Sequence, residues 1–319
     1  MEYEEICEKI QGYLSDPPLI VWGSGATIGF GLPSMGSLLN DLKAKGLLEP
    51  DAGDDLEKEL GREVYESRID NIRKLIKEKV SEANNSACES LLTNASPFEG
   101  IRLLTKLCVG TDVKKMDVVS TNYDLILENV WGYYDYQYTD GFQQDLNLYH
   151  GDNFKEKNTI NLYKVHGSIN WYKIGNTDRK CSKNIDGTPV IIPPGKRKYE
   201  WTYDSPYREL IQLSDKAIES HKSFLVIGFG FNDHHLTTKI RENSENGKPI
   251  VVVTKNITST TQKELSNAKK KIYVEEDPMD SRKTLFTIIE KGKILAKQSI
   301  DGTLWKLENF MKILCPTDY

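Results

Sequence analysis

Four short stretches of this 319-residue chain place reactive groups where a sheet would present them. The first, Gly23-Ser24-Gly25-Ala26-Thr27, follows the apolar run Leu19–Trp22. A strand that ends in small residues before a helix aims N–H groups and a positive dipole end at one spot. Glycine lets an anion approach without a Cβ in the way. Ile28 stands where the Gly-x-Gly-x-x-Gly pattern of dinucleotide dehydrogenases has its third glycine, and a plain strand-to-helix turn uses the same residues. The second stretch is Ser120-Thr121-Asn122-Tyr123-Asp124. An asparagine amide there can hold a sugar hydroxyl or a water; Asn or Asp could equally cap a helix begun by Leu125-Ile126-Leu127. The third is His166-Gly167, at the end of Ile160–Val165. An imidazole with an ordinary pKa of about 6.5 suits general-base work. The fourth is Gly228-Phe229-Gly230-Phe231-Asn232-Asp233, a second glycine turn, in which Asp233 also suits a helix cap. Of the five histidines only His166 sits at a strand end. Asp233-His234-His235 invites a metal reading, but no further His or Cys stands at ligand spacing, so no metal site is expected.

These stretches need strands to position them. Short apolar runs bounded by turn signals recur at Leu19–Trp22, Asp117–Ser120, Ile160–Val165, Phe224–Ile227, Ile250–Val253 and, more weakly, Lys271–Val274. Helical patterns over 3–14, 202–221, 233–243 and 259–268 separate most of them. The alternation predicts an α/β fold, a Rossmann-like parallel sheet with helices on both faces. Residues from about 36 to 112 are helical and charged, and read as a module inserted between the first two strands of the sheet. Residues 131–159 read as a polar loop or hairpin over the site. Two domains are expected: a catalytic unit over 1–280 that includes the insert, and a helical tail over 281–319. In that tail one amphipathic helix would carry Leu285, Phe286, Ile288 and Ile289, the other Leu304, Trp305, Leu307, Phe310 and Leu314.

Composition narrows the function classes. With a net charge of −5, the chain lacks the basic excess of a nucleic-acid surface, and Lys269-Lys270-Lys271 and Lys196-Arg197-Lys198 read as solvated faces. No apolar run approaches the ~20 residues that span a membrane, and the acidic start Met1–Glu5 is unlike a secretory signal. Five scattered cysteines without a Cys-x-x-Cys spacing suit reduced thiols in the cytoplasm.

In their order the motifs resemble the sirtuin (silent information regulator 2-like) family. Its Gly-Ala-Gly, Gly-Ile-Pro, Gln-Asn-Ile-Asp, His-Gly and Gly-Thr-Ser elements correspond to Gly23-Ser24-Gly25, Gly31-Leu32-Pro33, Thr121-Asn122-Tyr123-Asp124, His166-Gly167 and Gly228-Phe229-Gly230. The resemblance spans about 20–255. It implies NAD+ as substrate, with Gly23, Ser24, Gly25, Thr27, Pro33, Asp124, Gly228, Gly230 and Asp233 binding it and Asn122 and His166 catalytic. Three departures stand out. Only Cys181 lies between His166 and Phe224, so a four-cysteine zinc ribbon cannot form and no zinc is expected. Ile191–Lys196 replaces the Phe-Gly-Glu segment that seats an acyl-lysine peptide, and Ser34-Met35 replaces the acidic-Phe-Arg run.

A kept NAD pocket without the peptide apparatus is similar to the bacterial sirtuin-like NADases of anti-phage defence, above all in Lys164–Trp171. That resemblance implies cleavage of the nicotinamide–ribose bond, depleting NAD in abortive infection. It also implies control by homo-oligomerisation, a HerA-type ATPase or a phage-protein activator. The competing readings are a non-catalytic NAD- or ADP-ribose-binding regulatory subunit and a zinc-free protein deacylase.

Overall fold

The runs Leu19–Trp22, Phe224–Ile227 and Ile250–Val253 are unbroken apolar tetrads, as strands buried on both faces must be. A computed structural model describes residues 1–110, 115–185, 187–195 and 205–315. Lys196-Arg197-Lys198 and the first residues of the helix expected over 202–221 lie outside these, as do the ends of the expected insert (111–112) and tail (316–319). The strands are β1 (Leu19–Trp22), β2 (Lys115–Ser120), β3 (Tyr138–Thr139), β4 (Thr159–Lys164), β5 (Gly167–Ile174), β6 (Thr177–Lys180), β7 (Thr188–Ile191), β8 (Phe224–Ile227), β9 (Ile250–Val253), β10 (Lys270–Asp277), β11 (Asp280–Glu290) and β12 (Lys293–Asp301). Among the described residues nine of them form one sheet in the order β12-β11-β10-β9-β8-β1-β2-β4-β3. Pairing is parallel from β10 through to β3 and antiparallel at β11 and β12.

The two faces of the sheet carry separate cores. Ile20, Trp22, Val118, Leu225 and Val251 face one cluster, and Leu19, Val21, Val119, Val226 and Val252 the other. Helices cover both faces, as the α/β reading requires. The first face packs α1 (Tyr3–Tyr13), α2 (Met35–Ala44), the short α3 (Leu56–Glu59), α4 (Ile69–Thr93), α5 (Glu99–Val109) and α6 (Ile126–Tyr133). The second packs α7 (Tyr207–Ser220) and α8 (His234–Glu245), with α9 (Ser259–Glu264) beyond β9. From β1 the chain crosses to β2 on one side, whereas β8 continues through β9 to β10 on the other. The neighbours β1 and β8 therefore mark the point where strand order reverses, beyond whose carboxyl ends open α/β sheets place their ligand crevice.

Between β1 and β2 the described chain is helical. The segment 131–159 contributes the short edge strand β3, paired with β4, and a single 3-10 turn at Gly151–Asn153. After β4 the chain builds a small antiparallel sheet in the order β6-β5-β7.

The tail departs from the expectation of two helices. Leu285, Phe286, Ile288 and Ile289 lie in β11, where Thr284, Phe286 and Ile288 are buried in strict alternation. So short an apolar run fits both periods, and the β-branched Thr284, Thr287, Ile288 and Ile289 favour the strand. Lys291 and Gly292, with φ of 48° and 77°, form the tight turn into β12. A helix does follow, α10 (Leu307–Leu314), but it begins after Leu304 and Trp305. It buries Phe310, Met311 and Ile313 and crosses α5 at Gly100, where a Cβ would lie 2.6 Å from the Glu308 nitrogen.

Candidate functional site

The turns after β1 and β8 are packed backbone against backbone. Gly25 N–H donates to Gly228 O at 2.9 Å and Gly23 N–H to Ile227 O at 2.9 Å. A Cβ on Gly23 would lie 2.5 Å from Gly228 O, and one on Gly228 (φ 62°) would lie 2.0 Å from the Ala26 nitrogen. These glycines are thus needed for turn-to-turn contact, and the Gly25 N–H that could face an anion is spent on Gly228. Gly228→Ala combines a left-handed backbone with this overlap. It should lower unfolding free energy by about 2–3 kcal/mol, read as a shift in urea midpoint at unchanged slope.

Of the other residues expected around the first turn, Ser24 is exposed. Thr27 is buried, its hydroxyl donating to Ser24 O at 3.2 Å. Pro33 is half-buried and precedes Ser34, which caps α2 by accepting from Ser37 N–H at 3.1 Å. Gly230 stands apart from the packed glycines; its carbonyl accepts from the Thr261 hydroxyl at 3.5 Å.

Asn122 closes the crevice from β2. Its backbone N–H donates to the Ser120 hydroxyl at 3.1 Å. Its Nδ2 donates to Gly23 O at 3.2 Å and to the Thr27 hydroxyl at 3.3 Å. A carbonyl can only accept, so the Gly23 contact fixes which end of the amide is nitrogen. The other end, Oδ1, is buried without a hydrogen-bond partner. Buried acceptors are rarely left so. Asp124 lies one residue ahead of the Leu125 N-cap of α6, and its Oδ1 accepts from Ile126 N–H at 3.2 Å. Burial pushes the Asp124 carboxyl up, against the pull of Lys164.

Lys164 stands in the Lys164–Trp171 motif, which by itself assigns it no role. It is 1% exposed, pairs with Glu128 at 2.7 Å and donates to the carbonyls of Asp124 and Tyr123. It therefore pins the loop that carries Asn122. Burial raises the Glu128 carboxyl while Lys164 lowers it. Tyr123 ties the same loop to the far side through its hydroxyl, which donates to Ile192 O at 2.5 Å. The signal was a lysine inside the strand run Ile160–Val165, two residues before His166.

His166 sits between β4 and β5, where Gly167 (φ 82°) turns the chain so tightly that a Cβ would lie 2.0 Å from Val190 O. The His166 Nε2 meets Asp233 Oδ2 at 2.8 Å, with both side chains about nine-tenths buried. The other carboxylate oxygen, Oδ1, accepts from Leu236 N–H at 3.0 Å, so Asp233 caps α8 and holds the imidazole at once. Phe231, buried with φ of 60°, bends the turn that delivers Asp233. The structure therefore assembles Gly23, Gly25, Thr27, Asn122 and Gly228 around one seam, and pairs His166 with Asp233.

No group of three or more His, Cys, Asp or Glu placed to hold a metal occurs among the described residues. Cys181 is a buried thiol beside the small sheet, and His235 pairs with Asp215 at 3.1 Å. No described helix is long and apolar enough to cross a membrane.

Comparison with known proteins adds the following. A search of curated proteins finds no match. Among solved structures, a study of the mechanism and regulation of Sir2 enzymes matches with 12% identity over 82% of this chain and 88% of that one, at a TM-score of 0.45. A Sir2 homologue mutant with ADP-ribose matches with 12% identity over the same shares, at 0.47. A study of sirtuin substrate affinity matches with 11% identity over 81% and 90%, at 0.45. The family model for the SIR2-like domain matches residues 117–276, about half of the chain, from β2 through β10. By that match the chain belongs to the SIR2-like domain family.

Proposed function

We propose that the chain is an NAD+ glycohydrolase, cleaving the bond between nicotinamide and ribose. The observation that carries this reading is the buried Asn122 Oδ1, fixed in direction and lacking a partner at the mouth of the sheet. A ribose hydroxyl or the attacking water would supply that partner. As the nicotinamide leaves, positive charge grows on the ribose, and water must lose a proton as it attacks. His166, its Nε2 engaged by Asp233, has Nδ1 left to take that proton. Asp233 would stabilise the imidazolium that forms, as a carboxylate behind a general-base histidine does.

Ser24 and the turns of Gly23, Gly25 and Gly228 supply the candidate surface for the pyrophosphate; Thr27, Pro33, Asp124 and Gly230 complete the expected pocket. The catalytic unit would be residues 1–280, and its setting the depletion of NAD in anti-phage defence, as the motif resemblance implies. A pure binding subunit could use the Asn122 acceptor, but it would require no carboxylate-held histidine.

The reading is tested by following nicotinamide, ADP-ribose and acetylated ribose products from NAD+, with and without an acetylated peptide. Nicotinamide and ADP-ribose in equal amounts, independent of peptide, are expected. An acetylated product that requires peptide would make the chain a deacylase instead. Asp233→Asn keeps a good cap but weakens the hold on the imidazolium. It should lower kcat about tenfold to a hundredfold, with thermal midpoint and KM little changed.

A further inference from the structure

Between α4 and the small β6-β5-β7 sheet lies a cavity of about 570 Å³, lined by none of the residues placed in the candidate site. That volume is in the range of small-molecule pockets, ~300–1,000 Å³. Three of its polar side chains are more than nine-tenths buried: Lys77, Asn84 and Asn170. Buried polar groups are costly unless matched. Asn170 Oδ1 has no hydrogen-bond partner. Asn84 spends its Oδ1 on Leu125 N–H at 2.8 Å, so its amide protons are what it can offer. Lys77 Nζ donates to Asn184 Oδ1 at 2.5 Å and lies 4.8 Å from the centre of the Tyr172 ring.

Charge points the same way. Lys74 and Lys183 join Lys77 in the lining. Among the described residues the lining carboxylates are Glu78 and Glu82, and the latter is paired with Lys79 at 3.0 Å. Among the described lining residues the cations outweigh the anions, beside an amide acceptor and an amide donor. We infer that this cavity binds a phosphate-bearing small molecule of nucleoside monophosphate size. The phosphate lies toward Lys74, Lys77 and Lys183, and the base edge toward Asn84 and Asn170. Free phosphate shares the first half of that chemistry.

The cavity floor is joined to the loop that carries Asn122. Asn84 holds Leu125 N–H, and Ile169, also in the lining, donates its N–H to Tyr123 O at 3.0 Å. Occupancy therefore bears on the segment between Asn122 and Leu125. The binding inference stands apart from the NAD reading, because it is tested by binding and not by turnover.

The test is calorimetric titration of the full chain with AMP, adenosine and inorganic phosphate, repeated on Lys74→Glu/Lys183→Glu. Both substituted residues are exposed, and a thermal scan checks that the variant folds. AMP should bind at one site, at least about tenfold more tightly than adenosine, and about tenfold more weakly in the variant. Phosphate binding as tightly as AMP, with the same loss in the variant, would assign the site to free phosphate. AMP affinity unchanged in the folded variant would place its binding elsewhere and overturn the inference. So would an absence of binding by AMP and phosphate at millimolar concentration.

Discussion

His166→Ala should lower the rate of nicotinamide release from NAD+ by about 10²–10⁴-fold, or ~3–5 kcal/mol of barrier. The expected loss falls on kcat, because the imidazole acts when water attacks. In the proposed function, binding of the dinucleotide would rest instead on the turns after β1 and β8. The variant should fold. Asp233 keeps its second contact, the cap on Leu236 N–H at 3.0 Å, after the imidazole is gone. Nicotinamide release measured beside NAD binding and a thermal scan separates these effects. A variant that binds, folds and still turns over at the wild-type rate would remove His166 from the mechanism. Asn122→Ala should lose turnover in the same range, since it removes a buried side-chain acceptor that has no partner.

Lys164→Met should destabilise the chain by about 3–5 kcal/mol. Lys164 and Glu128 are 1% and 8% exposed, and removing the cation leaves the Glu128 carboxylate buried without its partner at 2.7 Å. The Asp124 carbonyl loses its Lys164 donor in the same step, while Tyr123 O keeps the Ile169 N–H at 3.0 Å. Adding Glu128→Gln should recover part of the stability, because the stranded charge is the larger cost. It should not recover activity in full, since the Asp124 carbonyl still lacks the Lys164 donor that helps to hold the 122–124 loop. Urea unfolding of both single variants and the double variant gives the coupling. Additive effects would mean that the pair contributes nothing jointly, and that the loop is held by other contacts.

The parallel sheet and its order of elements were legible because buried strands leave apolar tetrads such as Leu19–Trp22 and Ile250–Val253, spaced by helical patterns. The hairpin of β11 and β12 was not. Its apolar residues at 285, 286, 288 and 289 satisfy a helical spacing, and Lys291-Gly292 is a weaker turn signal than Asn-Gly. At the site, the motifs named the positions of Asn122, His166 and Asp233, but type and spacing could not say how they are held. Asp233 was read as a choice between cap and site residue, and one carboxylate does both. The glycines were read as room for an anion, whereas Gly23, Gly25 and Gly228 first make room for one another. That relation joins positions about 200 residues apart and has no local signature. Lys164 was hidden for a similar reason: its partners, Glu128 and the Tyr123 and Asp124 carbonyls, come from another strand-to-helix turn.

Cleavage, as distinct from holding, is the central claim. Incubating the purified chain with NAD+ and separating the products by chromatography tests it most directly. The account expects free nicotinamide and ADP-ribose in equal amounts from the wild-type chain. NAD+ that binds the folded wild-type chain and is recovered intact would contradict it, and would make the crevice beyond β1 and β8 a binding site only.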